Sequence, residues 1–272
     1  MISPSTHPTA IVSEKSQIGR GVQIGPYAVI EENVSIGDGT VILDHAHIGQ
    51  GTTMGRNNFI HMGAVIGHQA QHKSTKVSDG FLTIGDNNMF REYATVHRGS
   101  LPDSSTVIGN DNYFMAFSHV GHDNRIGNHV TVTNAVLLGG HVTLEDDCML
   151  GGASGVHQFC RIGRYAMIGG QASITRDVPP YMLVDNNENL IGSMNIIGLR
   201  RAEFSDEAAR DIKNAYKLLY LSGLTIANAL KAITENCRSA EVVHLINFIK
   251  SSKRGILQHR RRKNALNPAE SY

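Results

Sequence analysis

The sequence predicts a left-handed parallel β-helix built from hexapeptide repeats, mainly β, followed by a C-terminal α-helical domain. Three observations carry that expectation. An aliphatic or aromatic residue recurs at every sixth position: Val12, Ile18, Ile24, Ile30, Ile36, Ile42, Ile48, Met54, Ile60 and Ile66. The series resumes at Ile84, Phe90 and Val96, and again from Ile108 and Phe114 through Ile168 and Ile174. The residue after it is often Gly (Gly19, Gly25, Gly37, Gly109, Gly127), and the residue two before it is often small (Ala28, Ala46, Ala64, Ala94, Ser118, Ala166). The third observation is compositional: 28 glycines and no tryptophan among 272 residues fit thin, turn-rich layers.

A period of six matches neither the 3.6 of a helix nor the 2.0 of a simple strand. It matches a short strand, a corner, then another strand, with three hexads closing one triangular coil. The aliphatic residue points inward, and copies from successive coils stack at the usual strand spacing of about 4.8 Å. Glycine at the corner is expected to supply a backbone conformation that other residues resist.

Residues 1–180 therefore read as the β-helix. Two polar, turn-rich stretches interrupt it, 70–82 (AQHKSTKVSDGFL) and 99–106 (GSLPDSST). Long loops on a rigid scaffold often carry function. Residues 181–202 read as a connecting segment, and 203–256 as the helical domain. There, Ser205 before Asp206 and Glu207 looks like an N-cap with an acidic first turn. Ile212, Ala215, Tyr216, Leu219 and Tyr220 follow at helical spacing, Ser222-Gly223 ends that helix, and Leu224–Ile233 and Ala240–Lys250 read as two more. Residues 257–272 read as a basic, loose tail.

The net charge of +1 argues against a bulk electrostatic grip on nucleic acid. No stretch approaches the roughly 20 apolar residues of a membrane span, and the N-terminal residues do not read as a secretory signal. Cys148, Cys160 and Cys237 lack metal-like spacing and fit reduced thiols in the cytoplasm.

The excess of histidine, 14 residues, points to chemistry. Counted in coils of three hexads, His122, His141 and His157 fall within two positions of one another along one edge of the prism, with His119 on the adjoining face. Histidine suits acid–base work near neutral pH. Stacked histidines could also bind zinc, but no acidic residue reads as placed to complete a ligand set, and no metal is expected.

Four strings carry a resemblance: Ser118-His119-Val120-Gly121-His122-Asp123, Gly139-Gly140-His141-Val142, Gly155-Val156-His157-Gln158-Phe159-Cys160 and Asp177-Val178-Pro179-Pro180-Tyr181. With Gly198-Leu199-Arg200-Arg201 and Asn214-Ala215-Tyr216-Lys217-Leu218, they resemble the acyl-ACP–UDP-N-acetylglucosamine O-acyltransferases of lipid A biosynthesis. The resemblance implies a cytoplasmic homotrimer with clefts between subunits. It implies transfer of a (3-hydroxy)acyl chain from acyl carrier protein to the 3-hydroxyl of the UDP-sugar, without metal or dissociable cofactor. His122 matches the general base, Asp123 its supporting carboxylate and Gly140 an oxyanion-binding N–H. Gln71, His72, His97, His119, His141, His157 and Gln158 match cleft positions. Gly170 matches the residue that sets acyl-tunnel length, and Asn195 and Arg201 match nucleotide and donor contacts. His72 and Ser74 stand where the family commonly has an acidic and a basic residue, Ile197 where it has Glu, and Ala202 where it has Arg. These departures leave two alternatives open: the same chemistry on another UDP-sugar, or a non-catalytic relative that binds carrier protein or nucleotide. Neighbouring strand residues point opposite ways, so pairing His122 with Asp123 requires corner geometry.

Overall fold

A computed structural model describes residues 5–73, 80–185, 189–202 and 204–259. The hexads form a left-handed β-helix of triangular section. Most strands are only two residues long, as at Val29–Ile30. They assemble into three faces of 11, 9 and 8 strands among the described residues, here faces A, B and C. Each coil visits A, B and C in turn, as at Gln23–Ile24, Val29–Ile30 and Ser35–Ile36.

Paired residues in adjacent coils lie 18 positions apart where the repeat is regular, as Val41 and Phe59. The step is 30 from Phe59 to Met89 and 24 from Met89 to Tyr113. Both interruptions leave the prism at the same edge, between face B and face C: one between His68 and Phe81, the other between His97 and Ser105. Residues 74–79 of the first lie outside the described residues.

The sixth-position residues from Ile24 to Ile174 fill the prism interior, and the small residues two before them are buried beside them. Some of that second row is polar and self-satisfying. Asn88 donates to Asn58 and Asn112 donates to Asn88, at 3.0 and 2.9 Å. Phe90 and Phe114 stack in parallel at 4.7 Å.

The reason given for the glycines needs correction. The left-handed backbone position is the third after each inward residue, and side-chain-bearing residues occupy most of these sites, such as Tyr27 (φ 57°) and Asn33 (φ 54°). In the series that directly follows the inward residue, only Gly67 has positive φ. The others are glycine because coils touch there. A Cβ on Gly37 would sit 2.5 Å from the backbone of Gly55, and one on Gly109 would sit 2.6 Å from Gly127.

Residues 181–202 are more than a connector. Met182–Val184 extends face A in parallel, and Ile191–Met194 turns back antiparallel beside it. Met182 and Val184 stay buried after the hexads end, so alternation alone prolongs the sheet. A short helix α1, Ile196–Arg201, follows. Helices α2 (Asp206–Tyr216), α3 (Ile226–Asn236) and α4 (Ala240–Lys250) then build a second core around Ile212, Leu245 and Phe248 against Tyr181. Ser205 caps α2 by accepting from the Ala208 N–H, and a π-helical turn, Lys217–Leu221, continues it. Thr225 caps α3, so that helix starts two residues later than expected.

The first three tail residues are ordered, contrary to expectation. Leu257 is buried and the Tyr216 hydroxyl meets His259 Nε2 at 2.8 Å. Burial of Leu257 outweighs the basic character of its neighbours. Residues 260–272 lie outside the described residues.

The three outer faces differ. Face C presents Gln17, Ser35, Thr53, Phe81, Thr83, Val107, Arg125 and Thr143. Face A presents Gln23, Val41, Phe59, Met89, Tyr113, Thr131, Met149 and Met167, and face B presents Ile11, Val29, Val65 and Leu137 beside its polar residues.

Candidate active site

The edge between faces B and C gathers the chemistry. Asp123 has φ 60°, the left-handed corner conformation. That bend turns its side chain back onto its neighbour, and His122 Nδ1 lies 2.7 Å from Asp123 Oδ2. The pair is well covered, with side chains 13% and 7% exposed.

The carboxylate is held ionised. Burial opposes its charge, but hydrogen bonds from Ser100, His122 and Ser104 outweigh burial and lower its pKa to about 2. Ser100 Oγ donates to Oδ2 at 2.6 Å and the Ser100 N–H approaches at 3.2 Å. An ionised partner makes Nδ1 the donor, which leaves Nε2 as the free acceptor.

One coil further on, Gly140 occupies the position under His122. A Cβ there would sit 2.6 Å from Nε2, so only glycine leaves the ring its place. The Gly140 N–H donates to none of the described residues, while its carbonyl accepts from Phe159. His141 stands under Asp123, its Nε2 3.6 Å from Oδ2, and its ring meets His122 edge-on at 5.2 Å. The first interruption brings His72 over the same edge, its ring 5.7 Å from that of His122.

His157 does not join this ring stack. Phe159 does, lying parallel to His141 at 4.7 Å. His157 lines a groove of about 580 Å³ on face B with Gln71, His119, Leu137 and Gly155. His119 Nδ1 meets Thr95 Oγ1 at 2.9 Å, and burial lowers its pKa to about 4, with His97 adding to the shift. His97 is buried and meets the Gln69 carbonyl at 2.6 Å; burial holds it below the usual histidine range. Gln158 is exposed beside the Gly139 backbone. Gly170 lies at the edge between faces A and B, and only the Gly152 backbone lies within 4 Å of its missing Cβ.

Asn195 and Arg201 sit elsewhere. With Ile197, Ala202, His129, Tyr165 and Met149 they line a second pocket of about 580 Å³ on face A. The Asn195 side chain caps α1, accepting from Gly198 and donating to the Tyr165 carbonyl. Face A lies opposite the edge between B and C, so one chain does not bring these residues to His122. Ser74 lies outside the described residues.

Two features escaped the sequence reading. Ser100 and Ser104 lie in an interruption singled out for function, but nothing in their spacing names a partner. The carboxylate missing from the expected ligand sets is Asp123: His122, Asp123 and His141 each offer a ligand atom, all within 4.8 Å of one another.

Comparison with known proteins places these features. A family profile described as UDP N-acetylglucosamine O-acyltransferase, domain 2, matches residues 177–257, and one described as bacterial transferase hexapeptide (six repeats) matches residues 15–50. Acyl-[acyl-carrier-protein]–UDP-N-acetylglucosamine O-acyltransferases from Trichlorobacter lovleyi and Halorhodospira halophila are 49% and 43% identical, each over 93% of this chain and 98% of their own. The crystal structure of the UDP-N-acetylglucosamine acyltransferase from Bacteroides fragilis is 38% identical with a TM-score of 0.90, covering 93% of this chain and 99% of that one. The structure from Francisella novicida is 35% identical with a TM-score of 0.90, covering 98% of each.

Proposed function

The chain belongs to the acyl-ACP–UDP-N-acetylglucosamine O-acyltransferase family, and we propose that the edge between faces B and C is where it performs that reaction. It transfers an acyl chain from acyl carrier protein to UDP-N-acetylglucosamine, the first step of lipid A biosynthesis. In the proposed mechanism His122 Nε2 takes the proton of the acceptor hydroxyl as that oxygen attacks the thioester carbon. The carbonyl oxygen becomes an oxyanion, and the unpartnered Gly140 N–H donates to it. Collapse breaks the carbon–sulfur bond, and the proton held by His122 passes to the departing thiolate of the carrier. Asp123 keeps Nδ1 protonated and steadies the imidazolium between the two transfers. The observation that carries this reading is the 2.7 Å His122–Asp123 pair with Nε2 turned toward Gly140.

The 3-hydroxyl as acceptor and a 3-hydroxyacyl chain as donor belong to the same proposal. The groove beside His119, Leu137 and Gly155 would take the acyl chain, with Gly170 at the edge between faces A and B, where a Cβ would meet the Gly152 carbonyl at 3.3 Å. His72, Gln71, His141, His157 and Gln158 would meet the sugar and the carrier arm. No metal or dissociable cofactor enters any step.

The working assembly in this reading is a homotrimer. Faces A and B present more apolar side chains than face C, where Phe81 and Val107 stand among polar residues. Packing face B of one copy against face A of the next brings the Asn195–Arg201 pocket of one subunit toward the His122 edge of another. No described helix is long and apolar enough to cross a membrane, and the proposed location is the cytoplasm. The test is an acyl-transfer assay pairing several acyl carrier protein thioesters with several UDP-sugars, together with sedimentation at micromolar concentration. Transfer to UDP-N-acetylglucosamine by a trimer is expected. A fully active monomer would remove the shared cleft, and preference for another sugar would move the acceptor.

A further inference from the structure

The His122 edge offers more than an acid–base pair. Asp123 Oδ2 lies 2.7 Å from His122 Nδ1 and 3.6 Å from His141 Nε2, and the three ligand atoms all fall within 4.8 Å of one another. Tetrahedral zinc bound at 2.0–2.1 Å holds its ligand atoms about 3.3 Å apart. Two of the three separations bracket that value, and the third is at most 4.8 Å, so side-chain rotation is needed to close the set. Two neutral imidazoles and one carboxylate are also ligands that a borderline divalent ion prefers.

The surroundings suit a metal ligand. Ser100 donates to Asp123 Oδ2 through both Oγ and N–H and fixes the carboxylate's orientation, so a metal on Oδ2 would share that oxygen with Ser100. The His141 side chain is 41% exposed, which leaves an entry path and room for water in a fourth position. Among the described residues no cysteine joins the set.

We propose that His122, Asp123 and His141 form a binding site for zinc-like divalent transition metals, and that occupancy switches the enzyme off. The proposal rests on the reading of His122 as the base. A metal on Nδ1 needs the Nδ1 lone pair, so the single N–H hydrogen of the neutral ring moves, through solvent, from Nδ1 to Nε2, the atom that has to accept the hydroxyl proton. One ion therefore removes both the base and its supporting carboxylate. The catalytic edge becomes a point at which free zinc restrains acyl transfer.

The experiment uses the untagged full chain, stripped of metal. Co²⁺ is titrated while visible absorption is recorded, and acyl transfer is assayed against free Zn²⁺ with and without chelator. The expected result is one Co²⁺ per chain with a tetrahedral-type visible band that Zn²⁺ displaces, and inhibition that chelator reverses. His141→Gln should lose the band and weaken Zn²⁺ inhibition by at least tenfold while retaining measurable transfer. Asp123→Asn should lose the band too, read by absorption alone. Absence of a band, a band that survives in both variants, or unchanged inhibition of His141→Gln overturns the site. A band that depends on both residues without inhibition of the unaltered enzyme overturns the switch, and His122→Ala assayed without metal then tests the base independently.

Discussion

Along the edge between faces B and C, an open acid–histidine pair in the early coils can be set against the covered one at His122. Glu31 and His47 meet at 2.9 Å with side chains 38% and 31% exposed. Asp123 and His122 meet at 2.7 Å with side chains 7% and 13% exposed. Both carboxyls are held below their ordinary range against the cost of burial. The Glu31 pair belongs to a surface with other open ion pairs, Lys15–Glu32 and Arg20–Asp38. Such open pairs, screened by water, contribute little to stability. The Asp123 pair differs in what lies over it. The two interruptions leave the prism at this edge just before His122, and they deliver His72 and Ser100 onto it. The repeat supplies the same edge many times, and chemistry belongs to the copy that the loops cover.

The sharpest way to break this comparison is to remove each histidine in turn. His122→Ala is expected to lower kcat by roughly 10²–10⁴, as for loss of a general base, whereas His47→Ala should leave kcat within about twofold, since an open pair contributes little. Equal losses from a steady-state assay of both variants would erase the distinction. The cover can be tested next. Ser100→Ala removes one hydrogen bond to a charged group, which typically contributes about 1.5–3 kcal/mol. A fall in kcat of about tenfold is expected, with little change in KM, and Ser100→Thr should restore most of it. A change confined to KM would make Ser100 a substrate contact instead.

How far this site could be read from residues alone depends on register. A step of 18 places His122 over Gly140 and Asp123 over His141, then Phe159 after His141, so most of the edge follows from counting. His157 lies two residues short of that step, and its ring therefore turns into the face B groove while Phe159 completes the stack. Gly140 entered through family resemblance, and the structure adds the steric reason that His122 requires it. Ser100 was illegible because an insertion destroys the count that would have placed it beside Asp123. The glycines were located correctly but explained wrongly, since close approach between coils is a property of stacked backbones that one hexad does not show. The buried strands after residue 180 were hidden because they follow a two-residue alternation once the period of six ends.

The smallest expected effect concerns a histidine that burial on face B leaves neutral. Burial holds His119 at about 4, so its NMR titration should show no midpoint between pH 6 and 8 and it should add nothing to the rate profile there. Its contribution to stability has a definite sign. Between its unfolded value near 6.5 and its folded value the unfolded chain binds more protons, so this residue lowers stability as pH falls through that window. An His119 midpoint near 6.5 would show the groove to be wetter than the face B packing implies.

The 18-residue step has a consequence for how the chain finds its shape. Contacts between coils span 18 to 30 residues of a 272-residue chain, a relative separation of about 0.07–0.11, which is the range of helical bundles and not of sandwiches. Folding can start at any coil and spread to its neighbours. Lengthening one coil from 18 to 30 residues raises the closure entropy by only about 0.5 kcal/mol. A prism of this kind can therefore gain a covering loop at any corner without slowing the search that assembles it.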